Sequence, residues 1–321
     1  MIDHHLLVGK LQSLDLPEWV VGWTTDFLTN RQQRVKLPSD VLSDWSLVPA
    51  GVPQGTKLGP WLYILMINDL DARGVQLWKY VDDLTVSEIV PKGMASNMQP
   101  VIDAIHTQSA ERRFTLNEDK CKEMRIQFSK TETQCSPLTI NSKELELVRK
   151  VKVLGIIISN DLKWNCHVDY VIKKASKRMY FLRQLKRANV STTDMVNFYC
   201  TCIRSVVEYA SSVFHYALPK YLSDDIERIQ KRALSIIFGY ELSYNDKLTF
   251  SSLSSLANRR QISSQKLFKN IVNDPSHKLH CLLPAFNVNT RYSLRHKRLF
   301  IEPRYKTERF RKSFIPSSIR N

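Results

Sequence analysis

Two adjacent carboxylates, Asp82 and Asp83, are the residues of this 321-residue chain whose types and spacing point most directly to chemistry. They lie within Val75-Gln76-Leu77-Trp78-Lys79-Tyr80-Val81-Asp82-Asp83-Leu84-Thr85-Val86, where two apolar, β-prone runs flank a short acidic break. The pattern predicts a β-hairpin with the acids at its turn. Neighbouring carboxylates repel each other, and a divalent cation offsets that repulsion. Mg²⁺ takes hard oxygen ligands of this kind. Taken alone, the dipeptide is more often an ordinary solvated turn.

A stretch upstream changes the weighing. Residues 51–60 read Gly51-Val52-Pro53-Gln54-Gly55-Thr56-Lys57-Leu58-Gly59-Pro60, and the apolar run Trp61-Leu62-Tyr63-Ile64-Leu65-Met66-Ile67 follows. Pro53 and Gly55 suit a sharp turn, Gly55 lets another backbone approach closely, and Leu58 to Leu70 reads as a helix beneath the acids. Together the two stretches resemble motifs B and C of reverse transcriptases, in that order and at a suitable spacing. The resemblance is strongest to the polymerases of non-LTR (LINE-type) retrotransposons. Val81 stands where many of those polymerases have Ala.

The resemblance implies roles. Asp82 would be the principal metal ligand and Asp83 the auxiliary one. Gln54 and Gly55 would lie against the template and the incoming nucleotide. The implied reaction is RNA-directed DNA synthesis on an RNA template and DNA primer, with deoxynucleoside triphosphates and Mg²⁺. A two-metal site of this kind holds its ions ~3.5–4 Å apart and needs a third carboxylate opposite the hairpin. Leu116-Asn117-Glu118-Asp119-Lys120-Cys121-Lys122 resembles motif D, which would make Lys120 the acid that protonates the leaving pyrophosphate; Cys121 replaces the usual Thr. Taken alone, Lys120 reads as a surface lysine. Val151 to Ile158 resembles motif E, with Leu154 and Gly155 as the primer grip; taken alone, it reads as a β-strand.

The start of the chain bears on the missing carboxylate. Ile2-Asp3-His4-His5-Leu6-Leu7 resembles the segment that follows motif A. The expectation is a C-terminal fragment beginning just after motif A, without that motif's aspartate and without the fingers. Asp3 reads as a helix N-cap rather than as a substitute ligand. Such a chain should have little or no polymerase activity alone.

Composition is compatible with this reading. The net charge of +16 favours an anionic partner, most simply nucleic acid. The cysteines, Cys121, Cys135, Cys166, Cys200, Cys202 and Cys281, form no Cys-x-x-Cys pair, which argues for reduced thiols in an intracellular protein of nucleus or cytoplasm. His277, His280 and Cys281 lie close together without a fourth ligand. Met1-Ile-Asp-His-His is no secretory signal, and the apolar run at Trp61–Ile67 is too short to span a bilayer.

The elements that must position the acids follow from periodicity. A helix opens at Pro17 and runs to Leu28, with Trp19, Val20, Trp23 and Phe27 as its apolar face; Gln32–Leu37 then pairs with Trp45–Val48. A helix covers 98–114, and strands are expected at Met124–Phe128, Leu138–Ile140 and Leu145–Val148. Beyond Asn165 the period becomes helical. Three stripes mark core-facing helices: Val168, Ile172, Ala175, Met179 and Leu182; then Met195, Phe198, Cys202, Val206 and Tyr209; then Leu222, Ile226, Ile229, Ala233 and Ile237. The first helix also carries Lys173, Lys174, Lys177, Arg178, Lys186 and Arg187, which can meet phosphates without reading sequence. Another helix covers 251–273. Asp225 to Leu234 and Arg309 to Arg320 resemble segments found after LINE-type polymerase domains. Val288 to Asn321 carries ten Lys/Arg and two Glu, a net of +8, interleaved with Phe300, Tyr305, Phe310 and Phe314; that mixture suits single-stranded nucleic acid.

The fold class expected is therefore α+β: a partial reverse-transcriptase palm of mixed helices and antiparallel sheet (1–160), an α-helical thumb (161–250), and a helix plus basic C-terminal extension (251–321). A different class of function fits the same charge and the same missing aspartate, namely a non-catalytic nucleic-acid-binding remnant.

Overall fold

A computed structural model describes residues 2–128, 135–287 and 299–320. The chain divides into two units, Met1–Val148 and Arg149–Asn321.

The first unit is built on four helices and short strand pairs. Helix α1 (His4–Gln12) is N-capped by Asp3, whose carboxylate accepts from the Leu6 amide at 3.0 Å. Helix α2 (Glu18–Leu28) follows Pro17, whose fixed φ suits the start of a helix. Strands β1 (Gln32–Gln33) and β2 (Ser46–Leu47) pair antiparallel as expected. Helix α3 (Leu58–Ile67) lies against α1 and α2 around Ile2, Leu7, Leu11, Leu28, Leu62 and Met66. Strands β3 (Gln76–Tyr80) and β4 (Asp83–Ser87) form the expected hairpin. One face of it packs Leu77, Leu84 and Val86 against Ala72 and against Val101 and Ile105 of helix α4 (Met98–Glu111). Strands β5 (Lys122–Glu123), β6 (Thr139–Ile140), β7 (Lys143–Glu144) and β8 (Glu146–Leu147) are two residues each; β6 pairs β7 antiparallel, whereas β5 pairs β8 in parallel.

The second unit opens with a hairpin, β9 (Lys150–Val153) and β10 (Ile156–Ser159). A helical layer follows: α5 (Asn165–Arg187), α6 (Thr192–Phe198), a π-turn at Tyr199–Arg204, α7 (Ser205–Glu208), α8 (Lys220–Phe238), α9 (Tyr244–Ser251) and α10 (Leu256–Asn273), with short helices α11 (Glu308–Arg311) and α12 (Phe314–Arg320) near the end. All five residues of the predicted α8 stripe are buried, as are Val168, Ala175, Met179 and Leu182 of α5. Each such side chain contributes on the order of 1.5–3 kcal/mol by leaving water. A buried polar network ties the layer together. The Tyr199 hydroxyl donates to Gln230 Oε1 (2.7 Å), and Gln230 Nε2 donates to the Tyr244 hydroxyl (2.8 Å) and the Ser254 carbonyl (3.0 Å). Tyr244 donates to Glu227, whose carboxylate also accepts from the Leu256 and Ala257 amides at 3.1 Å and so caps α10. Burial, first of all, pushes both phenols well above their ordinary range.

Three expectations from periodicity are corrected. Trp19 and Trp23 of α2 are 74% and 58% exposed. The inward face belongs instead to Thr24 and Leu28, and Thr24 enters the core by donating its hydroxyl to the Val20 carbonyl at 2.8 Å. In the stripe beginning at Met195, the π-turn shifts the inward face, so that Tyr199 and Ile203 are fully buried and Tyr209 is 55% exposed. In the tail, Phe300 is 2% exposed and stacks on Phe286 (4.9 Å), while Phe314 sits against Tyr216 and Phe268. These rings are spent on packing rather than left for bases. Residues 288–298 of the basic tail lie outside the described residues. The strand expected at Met124–Phe128 is irregular. Among the described residues no helix is long and apolar enough to cross a membrane.

Candidate active site on the β3–β4 hairpin

The hairpin closes with Tyr80 opposite Asp83, leaving Val81 and Asp82 as its two-residue turn. Val81 has a φ of 53°, in the left-handed region. A β-branched residue is an outlier there, and such strain concentrates at functional turns. The turn leaves Asp82 and Asp83 exposed. Among the described residues, no hydrogen bond or ion pair engages either side chain, so both carboxylates keep their oxygens for a ligand.

Helix α3 organises the surroundings at three levels. Its C-terminal carbonyls are taken by Lys79 of β3, whose ammonium donates to Asn68 (2.6 Å), Leu70 (2.8 Å) and Ile67 (3.4 Å). A cation there also suits the negative end of the helix dipole. In its middle, the Tyr63 phenol is pushed up by burial and, to a lesser degree, by the negative charge of Asp82. At its start, the loop of residues 53–57 folds back on the first turn. Thr56 Oγ1 donates to the Pro53 carbonyl (2.8 Å) and accepts from the Gly59 amide (3.1 Å). A Cβ at residue 59 would stand 2.6 Å from the Pro53 carbonyl oxygen, so only glycine fits. Just beyond α3, Asp69 pins the helix end to Lys10 of α1 and to Arg112 at the end of α4: burial would raise the Asp69 pKa, but Lys10 and Arg112 outweigh it and hold the carboxyl low.

Gln54 and Gly55 form the exposed tip of that loop. Gly55 has a φ of 80°, and a Cβ there would meet nothing within 4 Å. Its glycine is therefore required by backbone conformation, whereas the room it leaves is open on the protein side. Gly51 is anchored from below: its amide donates to the Ile2 carbonyl (2.7 Å), and His4 Nε2 lies 2.6 Å from its own carbonyl. Thr56, Gly59 and Lys79 carry the geometry of the site, and residue types alone did not single them out. For Gly59 the signal was its place one helical turn after Pro53 and Gly55.

The other predicted site residues fall elsewhere. Lys120 sits exposed in a tight turn where its amide donates to the Asn117 carbonyl (3.1 Å). The turn is fastened by its neighbours: Asp119 pairs with Lys143 and Lys122 with Glu146. The Cys121 thiol is pushed up by burial, which makes it a packing residue rather than a nucleophile. Leu154 and Gly155 form the turn of the β9–β10 hairpin, in the second unit. Asp3 is an N-cap that also pairs with Arg113, and no acid of the first turns joins Asp82 and Asp83. Among the described residues, no three His, Cys, Asp or Glu side chains come together in a metal-binding group.

Residues 1–158 match the family described as reverse transcriptase (RNA-dependent DNA polymerase). A shorter match, over residues 164–205, is to the N-terminal region of alkylated DNA repair protein alkB homolog 8 and covers little more than α5, α6 and the π-turn. Among curated proteins, the chain is 26% identical over 211 residues to the RNA-directed DNA polymerase from mobile element jockey of Drosophila funebris, covering 61% of this chain and 23% of that protein. It is 25% identical over 206 residues to the jockey polymerase of Drosophila melanogaster, covering 60% and 22%. The chain thus spans about a quarter of the length of the curated relatives it matches. No solved structure matches it.

Proposed function

Residues 1–158 of the chain belong to the reverse transcriptase family, with RNA-directed DNA polymerases of non-LTR retrotransposons as relatives, and from that premise we propose that the β3–β4 hairpin is the metal-binding element of a polymerase palm. The observation that supports it best is a pair of adjacent, exposed carboxylates, unengaged among the described residues, on the strained turn of a hairpin that Lys79 ties to the end of the helix following the Gln54–Gly55 loop. The donor set suits a hard divalent cation. Asp82 and Asp83 would hold Mg²⁺, whose chemistry there is to neutralise charge on the phosphoryl group being transferred. Gln54 would orient template and incoming deoxynucleotide, and Gly55 would leave them room. Lys120 would protonate the departing pyrophosphate. Leu154 and Gly155 would support the primer. By role, residues 1–160 make the partial palm, 161–250 the thumb and 251–321 the basic extension. The exposed Lys173, Lys174 and Lys177 of α5 would meet backbone phosphates of the RNA–DNA duplex.

Two carboxylates do not complete a two-metal centre, and no third joins them among the described residues. The chain by itself should therefore show little or no synthesis. Primer extension on an RNA template with Mg²⁺ tests this; robust synthesis abolished by Asp82→Ala would overturn it. The +16 charge favours a second reading, nucleic-acid binding without catalysis. Salt-dependent binding of RNA or DNA that is unchanged by Asp82→Ala, with no synthesis, supports that reading. Absence of binding at low salt removes it.

A further inference from the structure

The turn of the β9–β10 hairpin is an unfavourable one for its sequence. Leu154 and Gly155 both lie at positive φ, 46° and 84°. A two-residue turn of this kind prefers Asn or Asp at its first position, and leucine gains nothing there from local hydrogen bonding. Leu154 is also 42% exposed, so burial does not compensate fully. What holds the turn comes from far along the chain. The Tyr209 hydroxyl donates to the Leu154 carbonyl at 2.9 Å across 55 residues. The Tyr209 ring lies against Gly155, with Cε1 3.2 Å from where a Cβ would be.

Tyr209 is itself held firmly. It ends α7, and Ala210 follows in the left-handed region (φ 50°), reversing the chain directly behind it. Val206 and Val207 just before it are in the core. Glu208 takes a two-pronged contact from Arg259 and a second partner in Arg204. The ring is thus mounted on the rigid helical layer and pressed on the tip of the hairpin.

We propose that Tyr209 is a positioning residue for the primer-holding turn: its hydroxyl fixes the Leu154 carbonyl and its ring fixes Gly155, so that the hairpin tip meets a nucleic-acid 3′ end in one conformation. The proposal rests on the reading of Leu154 and Gly155 as a primer-holding turn. It assigns no bond-making step to Tyr209.

The test uses the full chain and two probes: a DNA primer annealed to a longer RNA template, with a recessed 3′ end, and a blunt RNA–DNA duplex of equal length. Fluorescence anisotropy gives the preference for the recessed end. Tyr209→Phe should reduce that preference about threefold to tenfold, the size of one ordinary hydrogen bond. Tyr209→Ala should abolish it, and both should leave blunt-duplex affinity within about twofold, since phosphate contacts dominate there. Amide hydrogen exchange should rise at residues 154–156 in both variants and stay unchanged in α5 and α8. That second readout reports on the turn itself. If the parent chain shows the preference and Tyr209→Ala keeps it, the proposal is overturned while the primer reading stands. If the parent chain shows no preference, the primer reading falls and the proposal with it.

Discussion

The β3–β4 and β9–β10 hairpins end in turns of equal length and are treated in opposite ways. Val81 in one and Leu154 in the other are forced to positive φ, 53° and 46°, at a cost of about 1–2 kcal/mol each for an L side chain. At β9–β10 that cost is met by a brace: a phenol donates to the turn carbonyl and a ring covers the glycine. At β3–β4 no such brace reaches the tip among the described residues, and Val81, Asp82 and Asp83 are exposed. The hairpin is fastened one pair behind the turn, where Lys79, opposite Leu84, holds the end of α3. A turn whose shape matters can be clamped at its tip. A turn whose side-chain oxygens matter has to leave its tip free for a ligand, so its rigidity comes from below.

That contrast can be attacked directly. Gly155→Val would set a branched side chain at φ 84° against the Tyr209 ring. It should cost about 2–3 kcal/mol, from strain and lost contact together. Gly55→Val meets no neighbour although its φ is similar, and it should cost only about 1–2 kcal/mol. Urea denaturation of both variants decides; equal costs would mean that the ring does not brace the turn. At intermediate size, Leu154→Asn makes an Asn-Gly turn and should stabilise by about 1 kcal/mol. Val81→Gly relieves similar strain but loosens a strand end, so its gain should be smaller, about 0–0.5 kcal/mol. Thermal melts order the two, and a larger gain at Val81 would reverse the comparison.

The smallest effect expected is acidic. His167 sits between Trp164 and Phe214, and burial holds its imidazole below the ordinary histidine range. Its Nδ1 accepts from the Ile157 amide of β10 at 3.3 Å. Because the folded-state value is depressed, the unfolded chain binds the proton first. The neutral ring's contribution is complete above about pH 6.5, the unfolded value, and is lost as pH falls through the folded one. Protection against hydrogen exchange, taken relative to the intrinsic amide rate at each pH, should therefore fall in β9–β10 on acidification from neutral pH, while that of β3–β4 changes less. His167→Phe should flatten the difference; an unchanged pH profile in that variant would show that other groups carry it.

The site was legible where residue type dictates backbone shape. The Asp82–Asp83 turn and the loop at Pro53–Gly55 were visible because turn chemistry is local, whereas the turn at Leu154–Gly155 was not, since leucine is a poor turn residue and residues 151–158 taken alone read as a strand. The helices were legible from their stripes, and that of α8 is buried at every predicted position. Three kinds of information were not. The outward turn of Trp19 and Trp23 depends on which helix α2 meets, and a small hydroxyl residue, Thr24, won the inward face. The tail's aromatics look like a nucleic-acid surface until Phe268 and Phe286 are brought to them from distant positions. Tyr209 was read as part of a core stripe, because an unbroken 3.6-residue period cannot anticipate a wider turn.

That wider turn makes chain length a determinant of the hairpin. From Tyr199 to Arg204 the backbone accommodates one residue more than α-helical pitch would. Each residue advances a helix by about 100°. Removing a single residue from the turn would return it to ordinary pitch and swing everything after it around the axis by that angle. Tyr209 would then face away from Leu154 and Gly155, although no residue of the hairpin or of its brace had been altered. Between Met195 and Tyr209 the number of residues is therefore under constraint even where their identities are not, and deletions should be tolerated less there than substitutions.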